Sequence, residues 1–174
     1  MKIVIHKKTS ASWLGLVLAV CLMSCGGGSQ ESGSAADGSA GGSEAMVVED
    51  NVVKLTIGGS DQMRFDKTEL RARAGMKVEL TLKHTGTLSE AAMGHNVVIL
   101  KSGTDVHDFA GRAMGSPGND YIPVDGDEVI ANTEMIGGGE SSTITFDAPA
   151  AGTYDFICTF PGHYGLMKGK FIVE

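Results

Sequence analysis

Apolar and polar residues alternate with a period of two through most of the chain after residue 50. Val53, Leu55 and Ile57 in VVKLTIGG fall on one face of an extended segment, and Met76, Val78, Leu80 and Leu82 in MKVELTL do the same. The pattern returns in STITF (Ile144, Phe146), GTYDFIC (Tyr154, Phe156) and KGKFIV (Phe171, Val173). Glycine-rich breaks such as GGS, GGGES and AAG separate these runs. Many short strands joined by such turns predict an all-β sandwich or barrel. One stretch departs from the period. In TDVHDFAGRAMGS, Val106, Phe109, Ala110 and Ala113 recur at helical spacing behind a Thr or Asp cap, which predicts one short helix inserted between strands.

The amino end follows different rules. Lys2, Lys7 and Lys8 precede a short apolar run from Trp13 to Leu22, too short for a comfortable membrane span, so residues 1–24 read as an export signal. The ending LMSC resembles the lipobox of bacterial lipoproteins, which makes Cys25 the acylated first residue; an ordinary cleavage site followed by a free thiol is the alternative. Residues 25–50 read as that lipidated cysteine and a flexible Gly/Ser/Ala/acidic linker. Its composition buries too little apolar surface to offset chain entropy. Such a coil reaches about 25 Å on average. Residues 51–174 are left as one domain.

With the signal removed, 11 basic side chains face 21 acidic ones, a formal net charge of −10. That argues against nucleic acid and against a basic patch for anionic lipid, and favours basic over acidic charge-steered partners. Cysteine usage sharpens the picture. Cys21 leaves with the signal and Cys25 is lipidated, so Cys158 is the sole thiol and no disulfide forms within the domain. In an oxidising compartment, a single retained thiol reads as a metal ligand or a nucleophile.

Strand parity turns Cys158 to the same side as Tyr154 and Phe156, at the end of its strand. The segment CTFPGHYGLMKG then turns through Pro161-Gly162 and brings His163 and Met167 around a common centre. A thiolate, an imidazole and a thioether around one point suit copper better than zinc. MGHNVVIL supplies a second imidazole, His95, at the start of an apolar strand.

These segments, with SDQMRF, KHTGTL, NDYI and the region from VIANT to IGGGE, resemble azurin, a blue-copper cupredoxin. The resemblance runs from about Val53 to Glu174 and is densest in C-x4-H-x3-M. It implies a cupredoxin-type Greek-key β-sandwich or barrel and one type 1 copper. His95, Cys158 and His163 are the implied equatorial ligands, Met167 the weak axial ligand, and the Gly94 carbonyl lies opposite it. Asn96 is implied to tie the ligand loops together. Backbone N–H groups near Asn96 and Phe160 are expected to donate to the Cys158 sulfur and tune its potential. His84 matches a buried histidine with a structural role, and His107 reads as a surface residue of the helix.

Met63, Leu88, Met93, Met114, Pro161 and Gly165 are implied to surround the edge of His163 with Phe160, as an apolar patch where a redox partner docks. Glu90 borders it. Two features depart from azurins: their amino-end disulfide is absent, and Val97 stands where a tryptophan is common.

The expected function is one-electron transfer by a membrane-tethered carrier, not an enzyme, lipid-anchored on the periplasmic or cell-surface side of a bacterial membrane. Its partners are expected to be redox proteins such as c-type cytochromes or membrane redox complexes, met as a monomer. The alternative is a copper chaperone or storage lipoprotein. Copper nitrite reductases and multicopper oxidases share the Cys-His-Met site but need further histidines, and with the signal removed only His84 and His107 remain.

Overall fold

A computed structural model describes residues 47–49 and 51–174. The signal, Cys25 and most of the linker lie outside the described residues. Ten strands form two sheets. The first holds β1 (Val47–Glu49), β2 (Val52–Ser60), β5 (Lys77–His84) and β8 (Ser141–Asp147) in that order, with β3 (Arg64–Phe65) also paired to β2. The second runs β4 (Glu69–Ala72), β10 (Lys168–Val173), β9 (Gly152–Ile157), β6 (Val98–Leu100) and β7 (Val129–Asn132). The pairs β2–β5 and β4–β10 are parallel and the others antiparallel. Val47–Glu49, which composition assigns to the linker, pair with Val52–Lys54 as an edge strand.

The alternating residues meet between the sheets. Val53, Ile57, Val78, Leu80, Leu82 and Ile144 come from one side, and Leu70, Ile99, Phe156, Phe171 and Val173 from the other, all buried. Each large side chain so buried contributes roughly 1.5–3 kcal/mol of transfer free energy. Phe65 meets Phe156 edge-on at 5.7 Å, and Phe146 meets Phe171 at 5.9 Å, which adds ring geometry to area.

The expected helix is α2 (Val106–Ala113), capped by Asp105, whose side chain accepts from the Asp108 N–H at 3.0 Å. Its buried Phe109 and Ala110 cover Val98, Leu100 and Ile157 on the outer face of the second sheet. That is why VIL in β6 is apolar throughout and does not alternate. Both faces of this strand are buried. Two single turns complete the elements, α1 (Glu90–Met93) and a 3-10 turn at Pro117–Asn119. No helix among the described residues is long and apolar enough to cross a membrane.

Candidate metal centre

Several strand ends converge at one pole of the sandwich. β2 ends at Ser60, β5 at His84 and β9 at Ile157, while β6 and β10 begin there. Cys158 follows β9 directly, and its N–H donates to the Met167 carbonyl at 3.0 Å, closing the ligand loop. Inside the loop Phe160-Pro161-Gly162-His163 forms a tight turn, with the His163 N–H on the Phe160 carbonyl at 3.0 Å. Proline at its second position and Gly162 at φ 83° fit a type II turn, where a side chain at the third position would be strained. The His163 carbonyl then accepts from the Met167 N–H at 2.8 Å, which draws Met167 back under the loop.

Cys158, His95 and Met167 are fully buried and His163 is 3% exposed. The Cys158 sulfur lies 4.0 Å from His95 Nδ1, 3.7 Å from His163 Nδ1 and 3.9 Å from the Gly94 carbonyl oxygen. The two imidazole nitrogens and the sulfur lie within 4.8 Å of one another. Three donors in a plane about 2.0–2.3 Å from a common centre stand about 3.7 Å apart. The triangle therefore fits a single metal ion, and its thiol and imidazoles fit copper.

The His95 ring is held from three sides. Its Nε2 hydrogen donates to the Ser60 carbonyl at 3.0 Å, which leaves Nδ1 bare toward Cys158. His84 stacks on it at 4.4 Å and 15°, and His84 Nε2 is bonded to the Met93 carbonyl at 2.8 Å. On β2, a Cβ at Gly59 would stand 2.7 Å from His95 Cδ2 and 3.4 Å from Met167 Cε, so only hydrogen fits there. The backbone of His95 pairs in both directions with Ile136, at 3.0 and 2.9 Å.

Asn96 bonds to two of the loops. Its side chain accepts from the Thr159 N–H at 2.8 Å and donates to Thr159 Oγ1 at 2.8 Å and to the Asp120 carbonyl at 2.9 Å. The backbone N–H groups of Asn96 and Phe160 favour the charged form of the Cys158 sulfur. Without metal, burial pushes the Cys158 thiol up to about 12, against the pull of those two donors. Burial lowers His163 to about 4, helped by the neighbouring charges of His95 and His84. Burial likewise lowers His95. Both imidazoles are thus neutral at pH 7, as metal donors must be.

Of the residues expected in an apolar patch, Leu88, Met114, Pro161 and Gly165 are exposed, whereas Met63, Met93 and Phe160 are half-buried. The Asp61 carboxylate accepts from the Thr87 and Leu88 N–H groups at 2.8 and 3.3 Å, tying the Met63 turn to the Leu88 segment. Those bonds, the Thr87 one foremost, hold Asp61 below the ordinary carboxylate range. Leu166 is 54% exposed and was not anticipated. Nor were Ser60, Gly59, Thr159, Asp120 and Tyr121. All but Gly59 lie in motifs that carry the resemblance, but these residues act through backbone atoms, a hydroxyl, a ring edge or the lack of a side chain. His107 is exposed and meets Tyr164 edge-on at 6.0 Å, and Val97 is fully buried.

A family model for copper-binding proteins of the plastocyanin/azurin family matches residues 51–174. The chain is 42% identical over 118 residues to outer membrane protein H.8 of Neisseria gonorrhoeae, a match covering 66% of this chain and 64% of that protein's length. It is 43% identical over 120 residues to azurin of Bordetella pertussis, covering 66% and 79% of the two chains. To auracyanin-A of Chloroflexus aurantiacus it is 36% identical over 160 residues, covering 90% and 91%. The solved structure of that auracyanin, described as a "blue" copper protein, superposes with a TM-score of 0.66 at 37% identity, covering 71% of this chain and 99% of that one.

Proposed function

The chain belongs to the plastocyanin/azurin family of copper-binding proteins, and on that premise we propose that it is an electron carrier, not an enzyme, with one type 1 copper. His95, Cys158 and His163 would hold the ion, with the Met167 thioether and the Gly94 carbonyl as weaker donors beside them. The observation that carries this reading is the buried triangle of Cys158 Sγ, His95 Nδ1 and His163 Nδ1. Bound copper supplies a one-electron couple between Cu(I) and Cu(II) at a donor set that suits both states.

The protein's own contribution is rigidity and dryness. Cys158, His95 and Met167 are sealed from water, and Ser60, His84 and Gly59 fix the His95 ring. A donor set that keeps its shape needs little reorganisation when the charge changes. His163 keeps the little exposure the donor set has, so its edge is the port for electrons. The surrounding Met63, Leu88, Met93, Met114, Pro161 and Gly165 form the apolar docking patch for a redox protein such as a c-type cytochrome or a membrane redox complex. A small, weak contact suits partners that must part quickly.

The LMSC sequence supports lipid attachment at Cys25, and a relative named as an outer membrane protein supports an exported, anchored location. The linker then confines the carrier near membrane partners and raises its effective concentration.

The test is addition of Cu(II) to the purified protein. An intense blue thiolate-to-copper absorption is expected, with Cys158→Ser abolishing it. A colourless protein with tetragonal copper overturns the reading. Labelled fatty acid should be incorporated by the native chain and not by Cys25→Ala.

A further inference from the structure

Asp120 and Tyr121 sit side by side in the left-handed backbone region, at φ 52° and 56°. Both carry a Cβ, so each adopts that conformation against its own preference. Strain of this kind persists only where surrounding contacts over-determine it, and it collects at functional sites. Here the contacts are explicit. The turn at Pro117–Asn119 is closed by the Tyr121 N–H on the Ser116 carbonyl at 3.0 Å and by Asn119 Nδ2 on the Ile122 carbonyl at 2.8 Å.

This strained pair delivers two contacts to the metal pole. The Asp120 carbonyl accepts from Asn96 Nδ2 at 2.9 Å and from Thr159 Oγ1 at 3.5 Å. The Tyr121 ring meets the Phe160 ring edge-on, with centroids 5.6 Å apart at 65°. Phe160 lies against the His163 ring at 4.6 Å, and its backbone N–H favours the charged form of the Cys158 sulfur. A residue two contacts away thus bears on both the thiolate and the electron port.

We propose that Asp120–Tyr121 is a brace, and that Tyr121 is a positioning residue that holds Phe160 so that its N–H stays on the Cys158 sulfur and its ring stays on His163. The inference rests on the copper reading above. Hydrogen bonds to the sulfur favour the reduced site, which carries the greater negative charge, and so raise the reduction potential. Removing the ring that backs Phe160 frees this segment to rock, weakens the N–H donation and lowers the potential.

The experiment compares copper-loaded native protein with Tyr121→Phe, Tyr121→Ala and Tyr121→Leu. In Tyr121→Ala the potential is expected to fall, the blue absorption to shift, and the Phe160 amide to exchange about tenfold faster. Tyr121→Phe should restore all three, because the ring edge and not the hydroxyl makes the contact. A purely structural role predicts lower thermal stability with unchanged potential and absorption, and that result overturns the brace. If Tyr121→Ala does not fold, Tyr121→Leu, which keeps bulk but not the ring edge, is read by the same two signals. Native protein without blue absorption overturns the copper reading and the brace together, whereas blue native protein with unperturbed variants overturns the brace alone.

Discussion

His95 shows how a single residue acquires its role from what surrounds it. Nothing about an isolated imidazole selects Nδ1 as the donor. The Ser60 carbonyl does so by taking the hydrogen on Nε2, and His84 and Gly59 then remove the ring's freedom to turn. Gly59→Ala places a methyl group within 2.7 Å of the ring, so His95 must move. Overpacking of this kind costs about 1–3 kcal/mol. Lower thermal stability and a displaced copper spectrum are the expected outcome; an unchanged spectrum would show that the ring has room. The ligands also set a pH dependence in the metal-free protein. His163 titrates at about 4 in the fold, below its ordinary 6.5, and His95 is lowered in the same direction. The unfolded chain therefore binds more protons than the folded one across that interval. Stability of the metal-free protein should fall as pH drops from about 6.5 toward 4. Melting curves in that range check it, with His163→Gln expected to flatten the slope.

At the scale of elements, the inserted helix and the ligand loop are one packing unit. Phe109 and Ala110 cover Val98, Leu100 and Ile157, and the half-buried Tyr164 between two ligands joins the same cluster. The strand that leads into Cys158 is thus clamped from outside by α2 and from inside by the core. Asp105 starts that helix with a side-chain cap. Asp105→Ala should cost about 1 kcal/mol of stability. Differential scanning calorimetry would register the loss, while the blue absorption stays in place because Asp105 touches no ligand.

The whole molecule separates stability from contact. Its sandwich buries the alternating residues, while Leu88 and Met114, two residues of the proposed docking patch, stand 43% and 56% exposed. Substituting either with a charged residue, Leu88→Asp or Met114→Glu, should slow electron exchange with a redox partner. The copper absorption and thermal stability should stay near native, since neither side chain fills the core. Stopped-flow transfer rates beside spectra of the same samples decide the matter, and equal rates would place docking elsewhere.

Much of this was legible in the residues. Period-two alternation disclosed the strands because a sheet with one buried face demands it, and the inserted helix was visible through its own spacing behind a Thr or Asp cap, which the fold assigns to Asp105. Cys158, His163 and Met167 were legible as a set because one short loop holds all three, so their spacing is itself a distance constraint. The N–H groups of Asn96 and Phe160 were expected on the sulfur, and both favour its charged form. Other features have no local signature. VIL in β6 loses its alternation because α2 covers its second face, which is a fact about a distant segment. The roles of Ser60, Gly59, Asp120 and Tyr121 likewise arise from contacts across tens of residues, made through carbonyls, a ring edge or an absent side chain. The sequence by itself determined that the domain is built of short strands around one inserted helix, and that Cys158, His163 and Met167 share one loop, since periodicity and loop spacing are local properties of the chain. Only the tertiary structure decided which nitrogen of His95 faces the sulfur, what backs Phe160 and which apolar side chains stay exposed, because each depends on atoms brought together from separate strands.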